Sequence, residues 1–290
     1  MHTAAFYLYY PLLKLLSLLP MRILYLVADF LYVILYYVFG YRKAVVYQNL
    51  KLSFPEKSEP EIFEISKQFY QYLADLFVET VKSFSISKEE ILSRLDLPKG
   101  FIKENDLEGK SFIILLGHNG NWEWAGLAFS AYGEVRMHAI YHQLSIKKFD
   151  ELMFQTRGKF GSYLSKMEDT MRSMIKFRDQ AVATILIADQ NTSPKNAYWT
   201  DFLNRKTAFV KGPFKLAQKF DQPIIYGYIK RVCRGKYVVK MELISYDNKN
   251  ASEYDILERF VRLLEKDIID NPSNWLWSHK RWKHEYEDYH

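Results

Sequence analysis

The sequence predicts a mixed α/β fold with a largely parallel central sheet flanked by helices, preceded by an N-terminal apolar helical segment that associates with a membrane. Three observations predict it. From Ser111 onward, short β-rich runs alternate with helical patterns, the order that builds parallel sheets. The first forty residues hold two apolar runs of roughly 17 residues each, at the lower edge of what crosses a bilayer. A single cysteine in 290 residues leaves no intramolecular disulfide or multi-cysteine zinc site to organise the chain.

The apolar runs are "AAFYLYYPLLKLLSLLP" (4–20) and "ILYLVADFLYVILYYVF" (23–39), interrupted by Pro11 and Lys14 in the first and Asp29 in the second. Three arrangements stay open: one transmembrane helix, a helical hairpin lying in the interface, or a buried hairpin. A cleaved signal peptide fits poorly, because the apolar region is too long and no small-x-small cleavage site follows. If one helix spans, Arg42 and Lys43 hold the rest of the chain on the cytoplasmic side. The expected division is residues 1–40 as membrane-associating helices and 41–290 as the α/β domain.

A Pro/Ser/Glu turn at Phe54–Pro60 precedes a long amphipathic helix at about 61–82, for which Ser58 offers a cap and Glu59 and Glu61 an acidic first turn. Strands are expected at 111–118, 135–142, 181–190, 223–230 and 236–246. Helices are expected between them at about 120–131, 147–159, 167–179 and 211–220, with a last one at 254–270. Ligands of such a sheet gather at the strand C-terminal ends. No internal repeat or low-complexity linker interrupts the pattern.

Composition narrows the partners. Aromatic residues make up 17% of the chain, more than a core requires, so many face a membrane interface or a long apolar ligand. A mean hydropathy of −0.23 argues against a multi-spanning membrane protein. The formal charge of +6 and pI near 9.0 point to an acidic partner: nucleic acid, anionic lipid or an acidic carrier protein. Clustered basic-aromatic repeats and nucleic-acid motifs are missing from the sequence, which disfavours nucleic acid. Cys233 reads as a small residue near a strand end.

The stretch "LLGHNGNWEWAG" (115–126) carries the chemistry. His118 falls where an apolar strand ends, and Asn119, Gly120 and Asn121 can turn the chain into a helix with Glu123 in its first turn. A carboxylate there can reach back to the imidazole, fix its tautomer and leave the other ring nitrogen a better base. The same spacing also suits an ordinary strand-end histidine, a capping Asn119 or Gly120 and a first-turn acid. No zinc-binding H-E-x-x-H, nucleophile elbow, phosphate-binding glycine loop or cysteine pair accompanies it. A base without an evident side-chain nucleophile suggests direct attack by a substrate hydroxyl.

Here the sequence resembles the lipid A biosynthesis acyltransferases of the late lauroyl- and myristoyl-transferring type, within the wider glycerolipid acyltransferase superfamily. "HNGNWE" is similar to their His-x-x-x-x-Asp/Glu motif. "RKAVVYQNLKLSFPE" is similar to their early Asn-Leu and Phe-Pro-Glu segment, and "WLWSHKRWK" (275–283) to their C-terminal tryptophan-rich signature. Between them stand Arg157 and Gly161, Asp189 and Gln190, and Gly212, Pro213, Leu216 and Ala217, in the family's order. One departure is that Phe202, Leu203 and Asn204 occupy the place of the family's Phe-Phe-Gly. That segment is expected to line the substrate groove, so it bears on acceptor and chain length.

The resemblance implies a membrane-associated O-acyltransferase on the cytoplasmic face of the bacterial inner membrane. It implies His118 as general base towards an acceptor hydroxyl of a lipid A precursor, Glu123 as its orienting carboxylate, and an acyl thioester as co-substrate without an acyl-enzyme. The donor is acyl carrier protein or acyl-CoA; no metal or other cofactor is required. Backbone N–H groups near Asn119 to Asn121, and Arg157, are candidates to hold the thioester oxygen. Asp189 and Gln190 read either as substrate contacts or as loop anchors. His279, Arg281 and Lys283 in a docked tail would fix structure or bind acidic headgroups. Lys147, Lys148, Arg157, Lys159, Lys280, Arg281 and Lys283 could form one basic surface. Two alternatives remain: the same chemistry on a lysophospholipid or aminolipid, and a noncatalytic anionic-lipid binder.

Overall fold

A computed structural model of the chain describes residues 2–249 and 251–289. The helices are α1 (His2–Leu18), α2 (Met21–Val33), α3 (Lys43–Ser53), α4 (Glu59–Lys82), α5 (Lys88–Arg94), α6 (Phe101–Glu104), α7 (Trp122–Tyr132), α8 (Lys147–Gly158), α9 (Thr170–Lys176), α10 (Gly212–Phe220) and α11 (Glu253–Asp270). The strands are β1 (Leu95–Asp96), β2 (Phe112–Leu116), β3 (Arg136–Tyr141), β4 (Tyr163–Lys166), β5 (Val182–Ile187), β6 (Tyr198–Phe202), β7 (Arg205–Phe209), β8 (Ile224–Cys233) and β9 (Lys236–Ser245). Seven strands form one sheet in the order β1-β9-β8-β2-β5-β3-β4. Every pairing in it is parallel except β8 with β9.

Strands β2 and β5 at the centre of the sheet are apolar but for Thr184, because both faces of the sheet are covered. All five residues of β2 are buried. On α11, Ile256, Leu257, Phe260, Val261, Leu264 and Ile268 are buried, the three- and four-residue spacing of a stripe laid on the sheet. Helix α4 begins at the expected cap: Ser58 N–H donates to Glu61 Oε2 at 2.8 Å and its hydroxyl to the same oxygen at 2.6 Å, reciprocal satisfaction of an exposed helix start.

The apolar N-terminus folds back on the domain. Met21, Leu24 and Ala28 of α2, with Tyr36 in the π-helical turn Ile34–Val38 that continues it, are buried. Contacts between α2 and α4 run through this stripe. The opposite face carries Leu26, Phe30, Val38 and Phe39 in the open. Met21–Val38 is the one candidate among the described residues long and apolar enough to cross a bilayer, 18 residues with a mean hydropathy of 1.7.

Beyond α3, α5, α6, β1 and β4, which the sequence-based expectation did not include, two segments differ from it in ways that bear on the site. Residues 198–209 form an antiparallel hairpin, β6–β7, outside the main sheet. Its two-residue turn places Leu203 and Asn204 at φ +50° and +63°. Phe202 and Leu203 are buried in the core beside Trp275 and Trp282, so this segment does not line the groove. The tail is not a cover either. Arg281 is 2% exposed and its Nη2 donates to Ala208 O at 2.6 Å, while Trp282 Nε1 donates to Thr207 Oγ1 at 2.8 Å. The tail is part of the core.

Candidate active site

Strands β2 and β5 run side by side in parallel, with Leu116 opposite Ile187. The chain leaving each strand therefore emerges at the same edge, and it carries His118 from one and Asp189 and Gln190 from the other. Asp189 is 1% exposed. Its Oδ1 lies 2.5 Å from His118 Nδ1, and its Oδ2 accepts from the His118 backbone N–H at 2.7 Å and from the Trp275 indole at 2.7 Å. Complete burial works against ionisation. The His118 charge and hydrogen bonds, with the Trp275 donor, outweigh it and hold the carboxyl down at about 2. An ionised Asp189 makes Nδ1 the protonated ring nitrogen and leaves the lone pair on Nε2. Gln190 Nε2 stands 3.1 Å from that lone pair.

The carboxylate in contact with the His118 ring is thus Asp189, not Glu123. Glu123 points along the first turn of α7 to Arg157 on α8, which grips it with two bonds, Nε to Oε2 at 2.9 Å and Nη2 to Oε1 at 2.6 Å. Burial opposes the Arg157 charge, but the Glu123 carboxylate more than restores it, and the guanidinium is raised above its ordinary value. This fork engages both carboxylate oxygens and turns Glu123 towards α8, while the imidazole meets Asp189.

The loop between His118 and α7 is held largely by its own bonds to the surrounding fold. Gly120 sits at φ +56°, and a Cβ there would lie 2.2 Å from Ile229 O, so a side chain is barred by both conformation and space. The Gly120 N–H donates to Asn274 O at 3.1 Å and its carbonyl accepts from Tyr72 at 2.5 Å. Asn121 is completely buried. Its Oδ1 caps the Trp124 N–H at 2.8 Å and its Nδ2 donates to Glu79 at 2.7 Å. Asn121, expected as a substrate contact, thus has both side-chain polar atoms bonded within the protein, and Asp189, expected as a substrate contact or a loop anchor, is bonded to His118 and Trp275. Asn119 is buried too, its backbone bridged to Trp275, with Oδ1 left without a hydrogen-bond partner. The backbone N–H groups of His118 and Gly120 are already spent, on Asp189 and Asn274, and Arg157 stands in the cavity wall.

His118, Glu123, Arg157 and Gln190 converge on one cavity of about 260 Å³. Its remaining walls are mainly apolar, among them Trp122, Gly126 and Leu127 of α7, Tyr141 of β3, Ile185 and Ile187 of β5, and Met167. The Trp122 ring stands edge-on to His118 with centroids 4.8 Å apart. A base at the rim of an apolar slot suits proton abstraction next to a long aliphatic group.

The basic surface does not assemble as expected. Arg157 is in the cavity wall, Arg281 is in the core, and Lys159 donates to Ser83 O and Ile86 O, its ammonium pushed down to about 8 by burial and by Lys14 and Lys82. His279 accepts from the Asn191 N–H at 3.3 Å, a structural place. Trp275, Tyr72 and Glu79 were not singled out in the sequence as parts of the site. Only Trp275 had a signal, its position in the tryptophan-rich tail.

Set against known families, residues 1–284 match the family described as bacterial lipid A biosynthesis acyltransferase. Among curated proteins no match was found.

Proposed function

From the premise that this chain belongs to the bacterial lipid A biosynthesis acyltransferase family and is an acyltransferase, we propose that it moves a fatty acyl chain from a thioester to a hydroxyl of a lipid A precursor. The observation that carries the mechanism is the His118–Asp189 pair at the rim of the apolar cavity. His118 Nε2 takes the proton of the acceptor hydroxyl, whose oxygen attacks the thioester carbonyl carbon. Asp189 stabilises the imidazolium that results. The developing oxyanion is held by Arg157, which Glu123 fixes in place from the far side. The C–S bond breaks, and the imidazolium proton goes to the departing thiolate. Gln190, in hydrogen-bond reach of Nε2, gives way to the acceptor hydroxyl.

The acyl chain lies in the slot walled by α7, β3 and β5. An acidic carrier protein as donor is supported by the formal charge of +6. The apolar face of α2 rests in the membrane interface rather than crossing it. This is supported by its packing along α4, whose Glu64, Lys67, Gln68 and Gln71 would otherwise be drawn into hydrocarbon. Arg42 and Lys43 favour the cytoplasmic face of the inner membrane.

The test is transfer of a labelled acyl chain from acyl carrier protein, or from acyl-CoA, to a lipid A precursor in detergent, comparing wild type with His118→Ala. Product from wild type and near-complete loss in the variant supports the assignment. No product from folded wild type refutes the lipid A acceptor, and transfer to lysophospholipids or aminolipids in its place establishes the alternative.

A further inference from the structure

Glu79 is a completely buried carboxylate on α4 that takes no part in the chemistry above and does not line the cavity. Three donors from three different elements converge on it. Its Oε2 accepts from Asn121 Nδ2 at 2.7 Å and from the Tyr237 hydroxyl of β9 at 2.6 Å; its Oε1 accepts from the Tyr25 hydroxyl of α2 at 2.8 Å. Its main-chain carbonyl accepts the Trp124 indole at 2.9 Å. Taking a carboxylate out of water is costly unless its lone pairs are filled, and here each oxygen is.

We infer that Glu79 is a positioning residue for the reaction, setting the His118 loop through Asn121 and tying that loop, through Tyr25, to the apolar helix α2. Asn121 spends its oxygen on the cap of α7, so its amide nitrogen requires an acceptor. Glu79 supplies one three residues along the chain from His118. The residue next to Asn121 is Trp122, whose ring rests against the imidazole. A shift of Asn121 therefore reaches the base through both backbone and ring contact. The Asn121 amide nitrogen can only donate, so the group facing it must accept; a glutamine there with its NH₂ towards Asn121 would set two donors against each other. On the far side, Tyr25 is itself seated. Arg234 lies over its ring at 4.5 Å and donates to its carbonyl at 3.1 Å. The face of α2 turned away from Tyr25's partners is the one offered to lipid, so hydrogen bonds link the membrane-seated helix to Asn121, and backbone and ring contact carry that link on to the base.

The kinetic arm of the test rests on the acyl-transfer reading; a spectroscopic arm does not. The full-length protein is compared as wild type, Glu79→Gln, Asn121→Asp, the double variant Glu79→Gln/Asn121→Asp, and Tyr25→Phe. Each is measured for kcat, KM, melting temperature and the ring resonances of His118, assigned by their loss in His118→Ala. Glu79→Gln is expected to lower kcat about tenfold to a hundredfold per folded molecule, with KM little changed, as a small misplacement of a catalytic group does. The double variant exchanges donor and acceptor across the pair while an aspartate keeps the α7 cap. It is expected to recover most of that loss, a coupling that independent defects cannot produce. Tyr25→Phe is expected to lower kcat in the same direction, about twofold to fivefold, because its phenyl ring keeps the packing and loses one bond. An unchanged kcat in folded Glu79→Gln, or losses that simply compound in the double variant, overturns the inference. Should Glu79→Gln not fold, an unaltered kcat and unshifted His118 resonances in Tyr25→Phe overturn it. A wild type that transfers no acyl group refutes the functional reading, and the His118 resonances alone then decide: a shift in Glu79→Gln upholds the positioning role, and no shift ends it.

Discussion

His118 and Asp189 occupy equivalent places on adjacent parallel strands: each lies two residues beyond one member of the Leu116–Ile187 pair, and their side chains meet at 2.5 Å. Parallel register alone thus brings together two residues 71 positions apart. Asp189→Asn keeps this shape but offers an amide where a carboxylate fixed the tautomer. We expect kcat to fall by about 10³- to 10⁴-fold, the scale seen when an orienting aspartate is amidated, with KM nearly unchanged in steady-state kinetics.

Glu123 and Arg157 act as one unit. Glu123→Ala and Arg157→Ala are each expected to destabilise the fold by about 1–3 kcal/mol, since each leaves a largely buried charge without its partner. The double variant should cost less than the sum, and denaturant titration of all four proteins measures the coupling. Arg157→Lys should restore stability in part without restoring kcat, because an ammonium cannot form the fork.

The slot offers a place to change chain-length preference. Gly126 lines it, and an added Cβ there meets nothing within 4 Å. Gly126→Ala is expected to stabilise α7 by about 0.5–1 kcal/mol, since alanine suits a helix interior better than glycine. Gly126→Leu should fill the slot and move the preferred donor to shorter acyl chains, read by competition between donors of different length.

Stability should fall on acidification well before the site carboxylate titrates. Burial pushes His138 and His279 down to about 4, so both stay neutral in the fold while the unfolded chain binds protons near 6.5. Their contribution is complete above that value and declines below it, by about 1.4 kcal/mol per pH unit for each histidine, until about pH 4. Asp189 has the depressed carboxyl, so its contribution is present above about 4 and is lost only as pH falls through about 2. Melting temperatures measured from pH 7.5 to 5 should drop for wild type and less steeply for His138→Gln, whose amide can replace the bonds to Thr184 and Ser165.

The sheet and the place of His118 at its edge were legible because apolar runs of strand length alternate with amphipathic helices, and because His118 follows one such run. The partner of the base was not, because proximity along the chain favoured Glu123. A usable signal was present: "FIILLGH" and "VATILIAD" each place a polar residue two positions past the end of a strand. The hairpin at 198–209 was hidden by its turn, where Leu203 takes a positive φ that leucine rarely adopts. The sequence leaves Arg281 either fixing structure or binding acidic headgroups, since nothing local announces burial; its place is set by Ala208 O and the Phe209 ring, far away in the chain.

Trp275 donates to Asp189 from 86 residues downstream, and Asn49 holds the carbonyls of Trp277 and His279 from near the other end. The Asp189 shell is therefore closed by a segment distant in the chain, and a change that loosens the tryptophan-rich segment reaches the carboxylate behind the imidazole without touching His118 itself.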